Sequence, residues 1–207
     1  MADRQRSFWF HVLDVVFNIV VIVAIVAGIR TFLVSPFQVE GSSMIDTLED
    51  KEYIIINKLA YIVGAPERGD VVVFRPPNDP AKFYVKRIIG LPGDTVILRD
   101  GYVYLKEGDE SVVHKLDESA YLLEQNEGHT FRHPPSSGDK APIEYDVPAD
   151  SYFLLGDNRV GSLDSRSFTV DGELTPFVAR GEIKGRVWFV ALPVTKIHAL
   201  TLPQYGF

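Results

Sequence analysis

A serine and a lysine, each in a short segment of distinctive composition, are the side chains of this chain best suited to chemistry. Ser43 lies in the segment VEGSSMIDTL, residues 39–48, and Lys86 lies in YVKRIIGLPGD, residues 84–94. A serine hydroxyl is a weak nucleophile until a base removes its proton, and lysine is such a base only when it is neutral. Burial favours the neutral amine because desolvation penalises the ammonium form. The apolar sequence around Lys86 is what such a pocket requires.

Each of these two residues also has an ordinary interpretation. Serines in loops mostly shape turns, and lysines in strands mostly face solvent. On an extended strand, however, Lys86 shares its face with Tyr84 and Ile88. Two large apolar neighbours are unusual for a solvated lysine. Together, the two segments predict a nucleophile and its base.

The composition excludes several other chemistries. The chain has no cysteine, so disulfides, thiol catalysis and cysteine-ligated zinc are excluded. A net charge of −7 without a basic run argues against nucleic-acid binding. The histidines lie outside the two segments, and His129 and His133 have a spacing that can serve zinc but lack a third ligand. The sequence therefore predicts neither a metal nor a cofactor.

The apolar run over residues 12–29 predicts a transmembrane helix. Its only polar residues are Asp14 and Asn18, and about 20 residues at about 1.5 Å each cross a hydrocarbon core of about 30 Å. We predict a helix over 12–34 and a cytoplasmic N-terminus over 1–11. A cleaved signal peptide would have a shorter apolar stretch that ends in small residues, and a buried soluble helix is the other alternative. The arginines before the run favour an N-terminus inside the cell.

From residue 35 onward, short apolar runs alternate with turn signals, a pattern typical of an all-β domain. The predicted strands cover 53–56, 71–74, 83–89, 96–98, 102–105, 152–155 and 186–192. Asp100 and Gly101 predict a hairpin turn, because glycine tolerates the positive φ that a type I′ turn needs. Residues 107–146 are polar with little periodicity, which predicts a mobile insertion or a small cap.

Four ordered blocks of this sequence resemble those of the bacterial type I signal peptidases. They are the two segments above, RGDVVVF at 68–74 between them, and GDNRVGSLDSR at 156–166. The resemblance implies a mainly β domain, like those of signal peptidases and SOS-repressor proteases, preceded by one transmembrane helix. It implies a Ser43–Lys86 dyad in a membrane-bound serine endopeptidase that cuts signal peptides from exported preproteins after small residues. The catalytic domain, residues 35–207, would lie outside the bacterial cytoplasmic membrane, with preproteins and lipid as partners and no cofactor.

The fourth block contains three further candidate residues. Asp164 and Arg166 are two apart, so on an extended strand they point the same way and can pair, and Ser162 shares that parity. By resemblance, Ser162 hydrogen-bonds the lysine amine and positions it, while Asp164 and Arg166 form a structural ion pair under the site. The alternative is a polar loop with a solvated ion pair, which contributes about 0–1 kcal/mol.

The resemblance also implies shallow apolar pockets for small substrate side chains. Selectivity against larger side chains is limited, because each extra methylene is worth about 1–3 kcal/mol. The substrate would add as an extended strand between segment 37–41 and strand 83–86. The candidate pocket residues are Phe37, Val39, Met44, Leu48, Ile54, Val73, Tyr84 and Val85. Ordinary β core is the alternative for all of them, and it is equally strong for Ile54 and Val73.

Two positions depart from the family's usual pattern. Many members have a serine that helps to hold the oxyanion where this chain has Gly41, so the oxyanion hole would use the Ser43 N–H and one other donor. Asp46 stands where the family almost always has proline. A carboxylate within about 6 Å of Lys86 would raise the lysine pKa by up to about two units, whereas an Asp46 that faces solvent would leave it unchanged.

Two other functions are alternatives to the endopeptidase. SOS-response repressors share the β fold and the Ser–Lys chemistry, but they carry a DNA-binding domain where this chain has its apolar run. A catalytically degenerate member would bind signal peptides without cutting them, and Asp46 and Glu40 keep that alternative open. Retention of Ser43, Lys86 and Ser162 argues against it, because a binding protein need not keep all three.

Overall fold

The N-terminal helix α1 spans Ala2–Gly28 in a computed structural model, which describes residues 2–28, 30, 33–45, 47–132 and 141–206. Its stretch Trp9–Gly28 is long and apolar enough to cross a membrane, and none of it is buried against the rest of the protein. The helix begins before the predicted start at residue 12, and Val34, the last residue of the predicted span, already belongs to a strand. Strand β1 begins at Val34, because Pro36 disfavours helical backbone at the residue before it and β2 pairs with β1 from Val34 onward.

The rest of the protein is mainly β, as predicted. The strands are β1 Val34–Gln38, β2 Tyr53–Asn57, β3 Val71–Phe74, β4 Tyr84–Gly90, β5 Thr95–Arg99, β6 Tyr102–Lys106, β7 His114–Lys115, β8 Ile143–Asp146, β9 Ser151–Leu155, β10 Thr169–Val170, β11 Glu173–Leu174, β12 Phe177–Ala179, β13 Ile183–Leu192 and β14 His198–Ala199. A short helix, α2, covers Ala60–Val63, and single 3₁₀ turns cover Arg180–Glu182 and Val194–Lys196.

Two sheets and one small hairpin organise these strands. The larger sheet has the order β1-β2-β13-β3-β4-β9-β12, with β14 paired to β13, and the second sheet has the order β7-β6-β5-β8. Strands β10 and β11 pair only with each other. The β5–β6 hairpin turns at Asp100 and Gly101, whose φ angles are 53° and 80°. A side chain at Gly101 would also lie 1.9 Å from the carbonyl oxygen of Gly128, so this predicted turn requires glycine.

Strand β4 is the central element for the site. It pairs with β3 over residues 84–87 and with β9 only from Arg87 onward. Its first residues therefore have a hydrogen-bonded neighbour on one side and an open edge on the other. Ile88 and Ile89 in its second half are fully buried in different core clusters, so β4 is anchored at one end and accessible at the other.

Segment 107–146 contributes two short strands to the second sheet. It contributes β7, which pairs with β6, and β8, which pairs with β5. Leu116 from this segment is buried in a core cluster, and Glu118 and Thr130 are buried polar residues. Residues 133–140, which include His133 of the His129–His133 pair, lie outside the described residues.

Candidate active site

Ser43 and Lys86 meet at one end of the larger sheet. The Lys86 Nζ lies 2.6 Å from the Ser43 Oγ and donates to the Val85 carbonyl oxygen at 2.8 Å. Lys86 is 3% exposed, whereas Ser43 is half-buried in the turn between β1 and β2. The arrangement joins a buried amine to a hydroxyl that a ligand can still approach.

Burial lowers the pKa of Lys86 to about 8. The carboxylates of Asp164 and Asp157 oppose this shift by favouring the charged amine, and the Arg166 guanidinium supports it. Desolvation outweighs the attraction because each of these carboxylates already pairs with an arginine. A fraction of the lysine is therefore neutral near physiological pH.

A loop of residues 156–166, here called the Gly156 loop, packs against the Ser43 turn. The Asn158 N–H donates to the Ser43 carbonyl oxygen at 3.1 Å, and the Asn158 Nδ2 donates to the Ser42 carbonyl oxygen at 3.0 Å. A Cβ added at Gly156 would lie 2.1 Å from the Ser162 Oγ and 2.5 Å from the Ser43 carbonyl oxygen. Only glycine permits this close approach.

Ser162 lies beside the dyad without the hydrogen bond that the resemblance implied. It is 2% exposed, and its Oγ makes no hydrogen bond of ordinary geometry to any described residue. The hydroxyl does contribute to the lowered pKa of Asp164. The described contacts of the Lys86 amine go to Ser43 and Val85 instead, so the positioning role of Ser162 stays a prediction.

Asp164 and Arg166 form a fully buried ion pair. The Arg166 Nε and Nη2 donate to the two carboxylate oxygens of Asp164 at 2.8 and 2.7 Å, and the Gly156 N–H donates to the same carboxylate at 3.0 Å. Burial alone would raise the pKa of Asp164, but Arg166 and the Gly156 N–H together hold it below its usual value. The two residues lie in a turn rather than on the extended strand that their parity suggested, and the Arg166 N–H also bonds Asp164 Oδ1.

Two more buried ion pairs surround the site, and sequence analysis missed both. Arg87, next to Lys86, donates to Asp157 from Nε at 3.0 Å and from Nη2 at 2.7 Å. Arg159 pairs in the same two-pronged way with Glu118. Their partners are separated by tens of residues along the chain, and no local sequence signal connects them.

An open groove of about 510 Å³ runs from the dyad between β1 and the open edge of β4. Six of the eight predicted pocket residues line it: Phe37, Val39, Ile54, Val73, Tyr84 and Val85. Met44 and Leu48 do not line it; both are 1% exposed and pack in a core cluster with residues of β2, β3 and β13. Besides the dyad, the lining residues that were not predicted as pocket residues are Gln38, Glu40, Gly41, Ser42, Lys82, Phe83, Gly161 and Leu163.

Asp46 lies outside the described residues. His129 is in a turn of segment 107–146, and its Nδ1 lies 2.8 Å from the Glu127 carbonyl oxygen. Within the described parts of the chain, no group of three histidine or acidic side chains could hold a metal ion.

The sequence of this chain is similar to those of known signal peptidases. A family model described as signal peptidase, peptidase S26, matches residues 12–192. The chain is 37% identical to signal peptidase I U of Bacillus subtilis over 74% of this chain and 76% of that protein. It is 38% identical to signal peptidase I of Pseudomonas aeruginosa over 88% of this chain and 73% of that protein. This chain belongs to the peptidase S26 signal peptidase family.

A solved structure of a signal peptidase I from Enterococcus faecalis is also similar to this chain, with 29% sequence identity and a TM-score of 0.39. The match covers 59% of this chain and 96% of that one.

Proposed function

We propose that this protein is a membrane-bound serine endopeptidase that removes N-terminal signal peptides from exported preproteins with a Ser43–Lys86 dyad. The observation that carries the proposal is the 2.6 Å separation of the Lys86 Nζ and the Ser43 Oγ, with the amine buried and its pKa lowered to about 8. A neutral amine at that distance can accept the hydroxyl proton directly.

The reaction proceeds through an acyl-enzyme. The Ser43 Oγ attacks the scissile carbonyl carbon while its proton passes to the Lys86 Nζ, which forms a tetrahedral intermediate. Lys86 then gives this proton to the leaving amine as the peptide bond breaks, and an ester of Ser43 remains. A water molecule, deprotonated by the neutral Lys86, attacks the ester carbonyl carbon; the bond to the Ser43 Oγ then breaks, Lys86 returns the proton to this oxygen, and the signal peptide is released with a free carboxylate.

The backbone N–H of Ser43 stabilises the oxyanion. The Ser43 N–H donates to no acceptor in the described part of the chain, so it is available to the negative oxygen of the intermediate. A neutral amine has two N–H groups and one lone pair. One N–H of Lys86 bonds Val85, the lone pair faces Ser43, and the buried Ser162 hydroxyl receives the second N–H when the amine orients for reaction.

The groove selects an extended peptide with small side chains. The preprotein adds as a strand along the open edge of β4, where residues 84–86 have backbone groups free of β9, and it lies against segment 37–41 on the other wall. Apolar side chains from both walls and from the floor line the groove. They leave shallow pockets for the residues that precede the cut, which favours small side chains there.

The helix α1 anchors the domain to the cytoplasmic membrane, with the N-terminus inside and the β domain outside. Arg4 and Arg6 before the apolar stretch favour this orientation. The domain lies directly at the helix exit, because the Lys58 N–H donates to the Leu33 carbonyl oxygen at 2.9 Å. The cleavage site of a preprotein emerges at this surface while its own signal helix is still in the bilayer.

Cleavage of a purified preprotein tests the proposal. We expect the detergent-solubilised full-length protein to cut after a small residue, and the new N-terminus is mapped by mass spectrometry. Ser43→Ala and Lys86→Ala should each abolish cleavage while the protein remains folded. Lys86→Arg should also be inactive, since a guanidinium stays charged near neutrality. A protein that binds the preprotein and leaves it intact would support the non-catalytic alternative.

A further inference from the structure

Glu118, in the segment after β7, compensates the charge of a fully buried arginine. Its carboxylate accepts hydrogen bonds from both terminal nitrogens of Arg159, at 2.9 Å from Nη1 and at closer range from Nη2. The exposed fractions of the two side chains are 7% for Glu118 and 0% for Arg159. Thr130 from the same segment accepts a third bond from Arg159 Nη1 at 2.7 Å.

Arg159 connects this segment to the Gly156 loop. Its Nε donates to the Gly156 carbonyl oxygen at 3.0 Å, and its own carbonyl oxygen accepts from the Arg166 Nη2 at 2.9 Å. Arg166 in turn donates from Nη1 to the Phe131 carbonyl oxygen at 3.0 Å. Two arginines of the loop are therefore tied to residues 118–131 of the second-sheet region.

The loop, in turn, supports the nucleophile. Gly156 is in close contact with the Ser43 carbonyl oxygen and with Ser162, and Asn158 donates hydrogen bonds to the Ser42 and Ser43 carbonyl oxygens. A displacement of the Gly156 carbonyl therefore moves the backbone that presents the Ser43 hydroxyl to Lys86. Small displacements matter here, because a misplacement of about 1 Å can reduce a rate about 100-fold.

We propose that Glu118 is a positioning residue for the Ser43–Lys86 dyad, acting through Arg159 and the Gly156 loop. The proposal rests on the peptidase function proposed above. Without the Glu118 charge, the buried Arg159 guanidinium loses its counter-ion and turns toward other acceptors, which releases the Gly156 carbonyl. Glu118 does not line the substrate groove, so its loss should lower kcat and leave KM nearly unchanged.

A matched pair of charge-removing variants tests this effect. Glu118→Gln is compared with Asp94→Asn in the full-length protein. The Asp94 side chain is 6% exposed and forms an ion pair with Arg68 at 2.8 Å, and this pair does not involve the Gly156 loop. With rates corrected for the folded fraction, we expect Glu118→Gln to lower kcat at least about ten-fold with KM within about two-fold of wild type. Asp94→Asn should keep kcat near wild type. Equal kcat values for the two variants would overturn the proposal.

A double variant separates positioning from stability. Glu118→Leu with Arg159→Met replaces the buried ion pair by apolar side chains, a change that proteins often tolerate without loss of stability. It still removes the bond from Arg159 to the Gly156 carbonyl, so a folded double variant should have the low kcat of Glu118→Gln. Wild-type kcat in a folded double variant would contradict a positioning role.

Hydrogen exchange gives a readout that does not depend on peptidase activity. Amides of residues 156–166 should exchange faster in Glu118→Gln than in wild type or Asp94→Asn, because the loop loses its anchor. If wild type cuts no preprotein, the proposed function fails while the exchange data still decide whether Glu118 fixes the loop. Unchanged exchange over 156–166 in Glu118→Gln would overturn the positioning role.

Discussion

At the scale of single residues, three buried carboxylates around the site are each paired with an arginine, and the buried Lys86 lies among these pairs. Each pair consists of a carboxylate and an arginine: Asp164 with Arg166, Asp157 with Arg87, and Glu118 with Arg159. Because the arginines already compensate the negative charge of these carboxylates, the attraction between the carboxylates and the Lys86 ammonium is reduced. Desolvation therefore dominates the environment of Lys86, and this is the condition under which a lysine becomes a base.

The pH dependence of cleavage follows from this balance. The base must be neutral, so kcat/KM should rise with pH and reach half its maximum near pH 8, the folded pKa of Lys86. Initial rates of the full-length enzyme on one preprotein, measured from pH 6 to pH 10, give the profile. A rate that is constant across this range, or that rises only near the ordinary lysine pKa of about 10.4, would exclude Lys86 as the base.

The same shift makes the folded protein less stable when Lys86 is charged. The pKa is about 8 in the folded state and about 10.4 when unfolded, so below pH 8 the protein must protonate a buried amine at a cost of about 3 kcal/mol. This destabilisation is fully present below pH 8 and disappears above pH 10.4. Lys86→Met should therefore raise the unfolding free energy over wild type by about 3 kcal/mol more at pH 7 than at pH 10.5.

Denaturant unfolding of both proteins at the two pH values measures this difference. Other titrating groups are common to wild type and variant, so their contributions cancel in the comparison. The same stability difference at both pH values would mean that Lys86 has an ordinary pKa in the fold.

At the scale of elements, β4 and the Gly156 loop bring the two halves of the dyad together. Strand β4 supplies Lys86 from its partly open end, and the loop packs on the backbone of the Ser43 turn. Gly156→Ala should therefore lower kcat at least about ten-fold, because its Cβ would collide with the Ser43 carbonyl oxygen and the Ser162 hydroxyl. Gly181→Ala is the matched control, since a Cβ there meets nothing within 4 Å. Similar kcat values in the two variants would show that the close approach does not matter for catalysis.

Sequence patterns predicted the elements whose residues have strong local preferences. Apolar runs predicted strands such as Val71–Phe74 with the bounds observed, and the Asp100–Gly101 turn followed from glycine's tolerance of positive φ. The pattern missed β1, Val34–Gln38, since its proline and polar residues weaken the strand signal. It also could not show that β13 lies between β2 and β3, because such pairing depends on residues far apart in the chain.

Site residues could be predicted where they stand in a short segment of distinctive composition, and could not be predicted where the contacting residues lie far apart in the sequence. Ser43 and Lys86 stand in dense segments, and the structure brings them to 2.6 Å. Met44 and Leu48 were predicted to line the groove but are not among its lining residues, whereas Ile54 and Val73 of the same core cluster are. Apolar character alone does not show which buried side chains reach the groove. The contact of Glu118 with Arg159 joins a polar segment to the Gly156 loop across 41 residues, and only the fold reveals it.

At the scale of the whole molecule, the β domain has an apolar tip beside the helix exit. The Lys58 backbone N–H donates a hydrogen bond to the Leu33 carbonyl oxygen, and the Lys58 Nζ donates to the Arg30 carbonyl oxygen at 3.3 Å. Helix α2 begins two residues later, and its Ile62 and Val63 are 68% and 86% exposed. Apolar side chains so close to a helix that is apolar enough to cross a membrane are expected to insert about 5–10 Å into the headgroup and acyl boundary of a bilayer.

The absence of cysteine from this chain makes the tip directly testable. Val63→Cys and, as a control, Val112→Cys in the loop before β7 are each labelled with an environment-sensitive fluorophore in the full-length protein reconstituted in liposomes. Val112 is also exposed, at 52%, so both labels start from a solvent-accessible side chain. Insertion of the α2 tip should shift the emission at position 63 to shorter wavelength and make it quenchable by spin-labelled lipid, because the probe leaves water for the acyl boundary. The label at position 112 should emit as in water. Water-like emission without lipid quenching at position 63 would place the tip above the bilayer, and the domain would then be held at the membrane by α1 alone.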